Sequence, residues 1–317
     1  MEFITLGKSD LKVSRLAIGT WQVSGWAGSN EEMQIKIIRK AIDSEINFID
    51  TAESYGKGIS EEVVRKAIEG QRKNLILASK FSHKNAKPED TRKALEQSLR
   101  RLKTDYIDLY QYHWPAPEVP LKETIEIMKE FKREGKIRAI GVSNWMEPEW
   151  EEFEDTSEID SLQNCYSLLW RSIEKEVLKF CKKRNVSVLA YSPLCQGILS
   201  GRFSNLSDIP KDPRKQNVVL TEENFPKIKK IIEVLRETAH KYGKTMSQVA
   251  LRWLLDKEGV SAVICGATKL EQFEENLGVF NWSLEKEDIE ILDDVSRDFS
   301  KDRDPHDTLW NWHPKNS

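Results

Sequence analysis

Short runs of apolar, often β-branched residues alternate with longer stretches of helical periodicity along almost the whole chain. This alternation is typical of βα units, in which a helix follows each strand and returns the chain to a parallel sheet. The pattern predicts eight strands, at residues 14–20, 47–50, 75–80, 106–111, 137–143, 161–166, 186–192 and 260–265. Eight such units favour a (β/α)8 barrel in which residues 1–317 form a single domain.

A doubly wound nucleotide-binding sheet is the main alternative architecture. Its fingerprint, G-x-G-x-x-G after an early strand, is missing, because the nearest sequence, GKG at 56–58, lacks the third glycine. The chain also contains no Walker A loop and no H-E-x-x-H motif. The barrel is therefore the preferred fold.

Several helix ends are marked by capping residues. Ser60, followed by two glutamates, predicts a helix N-cap, and Pro88, followed by two acidic residues, predicts the start of the next helix. Gly70 and Gly135 each follow an apolar stripe and predict helix ends.

Some segments lie outside the eight units. Residues 3–7 and 11–15 flank a short turn and predict a β-hairpin that caps the bottom of the barrel. Residues 193–225 form a long polar loop, which is uncommon in a compact domain unless the loop has a function. Two helices are predicted near 269–279 and 285–297, and a tail follows them.

Charge and composition narrow the class of partner. The chain has 49 basic and 52 acidic residues, and a net charge of -3 does not favour a nucleic acid or a membrane surface. No apolar run reaches the length of a membrane span, and the first residues lack the apolar core of a signal peptide. We therefore expect an unexported, cytoplasmic protein with a small-molecule partner. A homo-oligomer is compatible with the sequence.

The four cysteines give no sign of a metal site. They are widely spaced and include no C-x-x-C pair, which suits neither a zinc ribbon nor a disulfide framework. We expect reduced, mostly buried thiols and no bound metal at Cys165, Cys181, Cys195 and Cys265.

Polar residues stand where three neighbouring strands end. Asp50 ends the second strand with Tyr55 just beyond it, Lys80 ends the third, and His113 follows the fourth. In a parallel barrel the chemistry gathers at this end of the strands, so the four side chains should converge on one rim. Taken singly, each has an ordinary structural explanation, as a turn former, a packing aromatic, a solvated strand end or a hydrogen-bonded rim residue. Their joint placement favours a site.

Together the four groups are suited to donate a proton. A phenol has a pKa of about 10, and a neighbouring buried ammonium lowers that pKa because it stabilises the phenolate. We expect Asp50 to keep Lys80 charged and His113 to orient a carbonyl oxygen. A carbonyl held between Tyr55 and His113 could then accept hydride while Tyr55 supplies the proton.

Five stretches resemble the aldo-keto reductase superfamily, in the family's own order and over essentially the whole chain. They are GTWQVSG (19–25), FIDTAESYG (48–56), LASKF (77–81), YIDLYQYHWP (106–115) and IGVSN (140–144). The resemblance, which is nearest to the bacterial general-purpose branches, implies a (β/α)8 fold and NADPH-dependent reduction of aldehydes and ketones. It places the family's catalytic tetrad on Asp50, Tyr55, Lys80 and His113.

The resemblance also implies the cofactor contacts. Contacts to the nicotinamide carboxamide fall on Ser143, Asn144 and Gln163, and the ring-stacking tyrosine is Tyr191. The loop after the seventh strand resembles the pyrophosphate-binding segment, with contacts at Ser192, Leu194, Gly197, Leu199 and Gly201. The segment 266–276 resembles the part that holds the adenosine 2′-phosphate and adenine, with contacts at Gly266, Thr268, Lys269, Gln272, Glu275 and Asn276. Two further expected contacts are Thr20 and Trp21.

One departure from the family pattern affects the cofactor. Many members have an arginine at the position of Gln272. Its absence weakens the prediction of a strict preference for NADPH, and NADH remains an alternative cofactor. Lys269 is expected to supply the cation instead, and the backbone amides that open this helix also favour a phosphate.

Tryptophans are expected around the substrate. Trp21 and Trp114 would line an aromatic pocket above the tetrad that suits aryl or alkyl aldehydes, whereas Trp26 is expected only to pack the loops. Trp310 and Trp312 in the tail either cover this pocket or form a contact between subunits.

Two other functions are compatible with parts of the sequence. The superfamily includes ion-channel β-subunits, so a cofactor-binding regulatory protein with slow turnover is one alternative. A barrel hydrolase that uses Asp50 and Glu53 as paired carboxylates is disfavoured, because it leaves Tyr55, Lys80 and Gln163 without a role.

Overall fold

Eight parallel strands close into a barrel in the computed structural model, which describes residues 1–24, 29–153, 155–210, 212–299 and 307–310. Neighbouring strands follow one another in chain order, and the last pairs with the first to close the barrel. The strands are β3 (Leu16–Gly19), β4 (Phe48–Asp50), β5 (Ile76–Phe81), β6 (Ile107–Tyr112), β7 (Ile137–Ser143), β8 (Ile159–Cys165), β9 (Ser187–Tyr191) and β10 (Val260–Cys265). The predicted (β/α)8 fold and its eight strands are confirmed.

Helices connect the strands and pack their apolar stripes against the barrel. In the third helix, for example, Ala94, Leu95 and Leu102 are buried at helical spacing. The helices are α1 (Glu31–Asp43), α2 (Ile59–Ala67), α3 (Pro88–Leu102), α4 (Leu121–Arg133), α5 (Glu147–Glu152), α6 (Val177–Lys183), α7 (Phe225–Tyr242), α8 (Met246–Asp256), α9 (Leu270–Leu277) and α10 (Lys286–Arg297). The two helices predicted after the last strand are α9 and α10.

The N-terminal hairpin caps the bottom of the barrel, as predicted. Its strands, β1 (Phe3–Thr5) and β2 (Lys12–Ser14), pair antiparallel. The hairpin's turn is held against the barrel because the Gly7 N–H donates to Ser187 Oγ at 2.8 Å and Lys8 Nζ donates to the Ile159 carbonyl at 2.7 Å. The turn needs glycine at this point, since Gly7 has φ +54° and a Cβ there would lie 2.1 Å from a carbonyl oxygen.

The bottom of the barrel is filled by a small apolar cluster in which large residues sit beside alanines. The hairpin contributes to this cluster, which contains Leu6, Leu11, Val13, Ala17, Phe48, Ala78, Leu109, Ala139, Leu189, Ala262 and Ile264.

One predicted helix start is wrong. α2 begins at Ile59, with Gly58 as its N-cap residue at φ 94°, so Ser60 lies inside the first turn. The Ser60 hydroxyl is buried, 2.7 Å from Thr20 Oγ1 and 2.8 Å from Thr51 Oγ1. It ties α2 to the ends of β3 and β4 instead of capping the helix, a long-range contact that local sequence does not show.

Asn30 caps α1, and its removal gives a prediction about stability. The Asn30 Oδ1 accepts a hydrogen bond from the Met33 N–H at 2.8 Å. Asn30→Ala leaves this N–H without its side-chain acceptor, so we expect the free energy of unfolding to fall by about 1 kcal/mol in urea denaturation. Asn30→Asp keeps an acceptor and is the matched control, for which we expect a change under about 0.5 kcal/mol. Equal stabilities for the two variants would contradict this assignment.

All four cysteines are buried, and none of them is part of a disulfide. None of the helices within the described residues is long and apolar enough to cross a membrane.

Candidate active site

Four side chains meet at the C-terminal end of the barrel. Asp50 ends β4, Lys80 lies near the end of β5, His113 follows β6, and Tyr55 begins the 3-10 turn Tyr55–Gly58. Lys80 Nζ donates to Asp50 Oδ1 at 2.6 Å and to the Tyr55 hydroxyl oxygen at 3.2 Å. The Tyr55 and His113 rings pack edge to face with centroids 5.7 Å apart. The structure therefore brings together all four residues that the strand ends indicated.

The turn that carries Tyr55 has an unusual backbone. Gly56, Lys57 and Gly58 follow one another at φ 60°, 55° and 94°, all in the left-handed region. A Cβ at Gly58 would lie 2.6 Å from Arg101 Cδ, so glycine is needed for packing as well as for backbone conformation. Arg101 is itself paired with the buried Glu61 through Nε at 2.5 Å. This packing fixes the turn that holds the Tyr55 side chain.

Asp50 and Lys80 form a buried ion pair. Their relative exposures are 2% and 0%, and Lys80 Nζ also donates to the Thr51 carbonyl at 2.9 Å. Burial lowers the pKa of Lys80, but Asp50 and then Tyr55 raise it, and the resulting pKa is above the usual value for lysine. The side chain at this position is therefore an ammonium at neutral pH.

The pKa of Tyr55 is raised, contrary to the direction expected from its ammonium neighbour. Burial raises the pKa of the phenol most strongly, Lys80 opposes this rise, and Asp50 adds to it. Burial together with the charges of Lys80 and His83 holds the pKa of His113 well below its usual range. At neutral pH the site therefore presents a protonated phenol beside a neutral imidazole.

The second oxygen of Asp50 accepts hydrogen bonds from two glutamines. Gln111 Nε2 donates to Asp50 Oδ2 at 3.1 Å, and Gln163 Nε2 donates to the same oxygen at 2.8 Å. The sequence analysis did not identify Gln111. The feature that could have identified it is a polar amide side chain inside a buried strand.

A cavity of about 1280 Å³ extends from this cluster to α9. Most of the predicted cofactor contacts line it: Thr20, Trp21, Ser143, Asn144, Gln163, Tyr191, Ser192, Leu194, Gly197, Gly266, Thr268, Lys269, Gln272, Glu275 and Asn276. Leu199 and Gly201 do not line it. Leu199 is buried in the hydrophobic core, and a Cβ on Gly201 would lie 1.9 Å from Met246 Cε. Lys80 is fully buried and does not line the cavity, whereas its partners Asp50 and Tyr55 do.

Hydrogen bonds fix the rim next to Tyr55. Ser143 Oγ donates to the Gln163 carbonyl at 2.7 Å, and Asn144 Nδ2 donates to the His113 carbonyl at 3.0 Å. The Tyr191 hydroxyl donates to Asn144 Oδ1 at 2.8 Å, which sets the position of its ring. Asn144 has φ 60°, a conformation that asparagine tolerates better than most residues. The ends of β7, β8 and β9 are thus joined around the cavity.

The loop after β9 is strongly bent. Ser192, Cys195, Gln196 and Gly197 all have positive φ, between 45° and 90°. Backbone turns of this kind make concave groups of N–H donors that bind anions. Gln196 lines the cavity, and its Nε2 is buried with no hydrogen-bond partner among the described residues, which leaves a donor for a bound acceptor.

Two arginines that the sequence did not single out also line the cavity. Arg202 directly follows Gly201, and Arg214 lies in the 3-10 turn Pro213–Gln216. Burial lowers the pKa of Arg202, and Arg214 lowers it further because the two cations repel each other. Arg202 is exposed, whereas Arg214 is buried and paired with Asp212. Arginines beside a bent loop are suited to hold phosphates.

The residues before and within α9 contribute one cation and several amides. Lys269 is exposed and forms no ion pair with a described residue. Gln272 Oε1 accepts from the Thr268 N–H at 3.0 Å and lies 3.2 Å from the Thr268 hydroxyl. Asn276 Nδ2 lies 3.2 Å from Cys265 Sγ.

Aromatic rings surround the end of the cavity near Tyr55. Trp21, Trp114 and Trp310 line it, and the rings of Trp21 and Trp310 pack edge to face with centroids 5.3 Å apart. The tail is held there because the Val218 N–H donates to the Leu309 carbonyl at 2.8 Å. Of the two expectations for Trp310, the structure therefore favours the cover over the pocket. Trp26 and Trp312 lie outside the described residues.

Polar residues that the sequence did not single out complete this end of the cavity. Ser54, Ser82 and His83 also line it, and Ser54 Oγ lies 3.4 Å from His113 Nδ1. The pocket is therefore aromatic but not entirely apolar.

The sequence model of the aldo/keto reductase family matches residues 15–297. The chain belongs to this family. It is accordingly an NAD(P)H-dependent oxidoreductase that reduces carbonyl groups, and the family resemblance of the five motifs is confirmed.

Full-length relatives support the assignment. The reductase is 37% identical to the aldo-keto reductase YhdN of Bacillus subtilis over 93% of each chain. It is 33% identical to the NADH-specific methylglyoxal reductase of Escherichia coli, over 93% of this chain and 98% of the relative.

Solved structures agree on the fold. The glycerol dehydrogenase AKR11B4 from Gluconobacter oxydans superposes with a TM-score of 0.86 at 34% identity, over 96% of this chain and 98% of that one. The aldo/keto reductase from Klebsiella pneumoniae in complex with NADP and acetate superposes with a TM-score of 0.77 at 30% identity, over 93% and 95% of the two chains.

Proposed function

We propose that Tyr55 is the general acid of this reductase and that Lys80, Asp50 and His113 support it. The observation that carries the proposal is the direction of one hydrogen bond. Lys80 donates to the Tyr55 oxygen at 3.2 Å, and an ammonium has no acceptor to offer in return. The phenolic proton is therefore left for an acceptor on the cavity side, where a substrate oxygen would lie.

The charges are arranged for proton transfer in one direction. As the carbonyl oxygen becomes negative, Tyr55 gives it a proton, and the resulting phenolate is stabilised by the Lys80 ammonium. Asp50 holds that ammonium in place, and the neutral His113 offers a ring N–H to the same carbonyl oxygen. Solvent then returns a proton to Tyr55. When bound, the dinucleotide supplies the hydride that the carbonyl carbon receives.

The residues that line the cavity fit a phosphorylated dinucleotide. Gln163 Oε1 forms no hydrogen bond with a described residue and is an acceptor for a carboxamide, with Ser143 and Asn144 beside it and the ring of Tyr191 as a stacking surface. The bent loop with Arg202 and Arg214 is suited to the diphosphate. Thr20, Trp21, Ser192, Leu194, Gly197, Gly266 and Thr268 complete the proposed binding residues. Leu199 and Gly201 are not part of this proposal.

Lys269 is the residue to which we attribute the proposed preference for NADPH over NADH. It has no competing ion pair among the described residues, and with Thr268 and Gln272 it stands at the start of α9, where a 2′-phosphate is also favoured by the helix N-terminus. Glu275 and Asn276 lie further along α9 and are proposed to contact the adenine. The Klebsiella structure contains NADP and the Escherichia coli relative is NADH-specific, so the family accommodates both cofactors.

Replacing Lys269 tests this preference. We expect Lys269→Gln to lower the ratio of kcat/KM for NADPH to kcat/KM for NADH about 10-fold, because a charged hydrogen bond to the phosphate is lost. Lys230→Gln on the exposed side of α7 removes the same charge and should leave the ratio unchanged. An unchanged ratio in Lys269→Gln would show that this lysine does not contact the phosphate.

The pocket favours small aldehydes. Trp21, Trp114 and Trp310 suit an aryl or alkyl substituent, while Ser54, Ser82 and His83 offer hydrogen bonds to a second oxygen. We therefore propose that substrates include simple aldehydes and 2-oxoaldehydes, of which methylglyoxal is named for the Escherichia coli relative.

The test is oxidation of NADPH and NADH in the presence of methylglyoxal, an aliphatic aldehyde and an aromatic aldehyde. We expect turnover with all three. Tight cofactor binding with negligible turnover would favour the alternative of a cofactor-binding regulatory protein. No described residue of the site specifically supports that alternative. The hydrolase alternative is disfavoured by the structure, because Glu53 does not line the cavity and its Oε1 accepts from the Ser82 N–H and Asn85 Nδ2, both at 2.7 Å.

The four cysteines form no disulfide, which supports a reducing compartment, and we propose a cytoplasmic location on that ground.

A further inference from the structure

A closed triangle of hydrogen bonds joins three buried side chains near Tyr55. Gln111 on β6 has no exposed surface. Its Nε2 donates to Asp50 Oδ2 at 3.1 Å, and its Oε1 accepts from Gln163 Nε2 at 3.0 Å. Gln163 Nε2 closes the triangle by donating to Asp50 Oδ2 at 2.8 Å. None of the functions described above uses Gln111.

The triangle permits only one orientation of the Gln163 amide. An ionised carboxylate accepts and does not donate, so both glutamines must turn their nitrogens towards Asp50. One N–H of Gln163 is then taken by Asp50 and the other by Gln111 Oε1. Only Gln163 Oε1 is left, and Gln163 lines the cavity. The side chain is therefore presented to a ligand as an acceptor.

The neighbouring strand leaves room for this arrangement. Gly141 on β7 pairs with Gln111 in the sheet, and a Cβ at Gly141 would lie 2.8 Å from Gln111 Cγ. A glycine inside a central strand is unfavourable unless another group needs the space. The Gln111 side chain occupies that space, so its position is set by the packing of β7 as well as by its hydrogen bonds.

We propose that Gln111 is a positioning residue that fixes Gln163 as a hydrogen-bond acceptor for the carboxamide NH2 of the nicotinamide. The proposal rests on the cofactor contact of Gln163 in the proposed function. Without Gln111, one N–H of Gln163 has no partner and the amide is held from one side only. The protein then distinguishes less sharply between a nicotinamide ring and a ring that lacks the NH2 donor.

The test compares the binding of NADP+ with that of its 3-acetylpyridine analogue, in which an acetyl group replaces the carboxamide. Both dissociation constants are measured from the quenching of tryptophan fluorescence, because Trp21 and Trp310 line the cavity. We expect the wild-type protein to bind NADP+ about 10-fold more tightly than the analogue, the effect of one or two hydrogen bonds. In Gln111→Met this ratio should fall to about 2-fold or less.

A double variant shows whether Gln111 acts through Gln163. Gln163→Met should lower the binding ratio by itself, and adding Gln111→Met to it should cause no further change. A general loss of packing would instead lower affinity for NADP+ and the analogue equally and leave the ratio as in the wild type. Thr124→Val, which removes a buried hydroxyl of α4 that donates to the Ala86 carbonyl at 3.0 Å, is the control and should keep the wild-type ratio.

A second variant at position 111 guards against misfolding. Gln111→Asn keeps an amide but is one methylene shorter, so it should lower the ratio of the two dissociation constants as Gln111→Met does. It is the variant to measure if Gln111→Met does not fold. A wild-type ratio in whichever variant folds would overturn the proposal, as would equal binding of NADP+ and the analogue by the wild-type protein. Failure of the wild-type protein to bind NADP+ at all would overturn the proposed function itself, and the role of Gln111 with it.

Discussion

Tyr55→Phe is expected to lower kcat for aldehyde reduction about 1000-fold, within the range usually found when a positioned general acid is removed. The ring and its edge-to-face packing against His113 are kept, and only the hydroxyl is lost. Binding of NADPH should therefore change by less than about 2-fold, since phenylalanine fills nearly the same volume. Steady-state oxidation of NADPH and fluorescence titration measure the two quantities separately.

Tyr106→Phe is the matched control for this prediction. Tyr106 lies under the Arg72 guanidinium, which is 4.2 Å from its ring centroid, and its hydroxyl bonds no described residue. We expect wild-type kcat from Tyr106→Phe. If Tyr55→Phe also kept wild-type kcat, the proton would have to come from another group, and the assignment of Tyr55 would be wrong.

Lys80→Met is expected to lower the free energy of unfolding by about 3–5 kcal/mol, because it leaves the Asp50 carboxylate buried without its counter-charge. Gln111 and Gln163 would still donate hydrogen bonds to Asp50 Oδ2. These neutral donors do not replace the positive charge that Lys80 places beside Asp50 Oδ1. Urea denaturation of the wild type and the variant measures this loss. Lys36→Met, which breaks an exposed pair with Glu32 at 2.7 Å, is the control and should leave the urea midpoint close to that of the wild type.

The double variant Asp50→Asn with Lys80→Met separates stability from catalysis. Removal of both charges should restore a large part of the lost stability, because no uncompensated buried charge remains. Activity should stay low, since no ammonium is present to stabilise the Tyr55 phenolate. Recovery of activity together with stability would mean that the ion pair serves only the fold.

The stabilisation of the folded protein by the Lys80 ammonium should be lost at high pH. The pKa of Lys80 is higher in the folded protein than in the unfolded chain, so its contribution is complete below the unfolded pKa of about 10.4. The contribution is lost as the pH rises through the higher, folded pKa. The contribution of the Lys80 ammonium to the stability of the wild-type protein should therefore be constant around neutral pH and fall only under strongly alkaline conditions, as urea denaturation of the wild type under the two conditions would show.

Local patterns were enough to predict the fold and the place of the site. Each barrel strand is a short buried run, and polar residues at the C-terminal ends of parallel strands share one rim. This reasoning predicted that Asp50, Tyr55, Lys80 and His113 lie together at one end of the barrel, and they do so in the structure. The same reasoning failed for Ser60, because its buried contacts with Thr20 and Thr51 outweigh its local tendency to cap a helix.

The features that the sequence did not reveal depend on contacts between distant parts of the chain. Arg202 and Arg214 come together only when the loop after β9 folds over the cavity. The raised pKa of Tyr55 depends on how completely the phenol is removed from water, and its sequence neighbours give no measure of that burial. Gln111 is one polar residue in a buried strand, and its importance follows from Asp50 and Gln163 on other strands.

The most direct test of the whole account follows a labelled hydride. The purified protein is supplied with NADPH that carries deuterium at the transferred position of the nicotinamide ring, together with an aromatic aldehyde. We predict that mass spectrometry will find an alcohol with one deuterium on its carbon, formed in proportion to the NADPH consumed and about 1000-fold more slowly with Tyr55→Phe. An alcohol without deuterium, or loss of NADPH absorbance without alcohol, would contradict hydride transfer at this site.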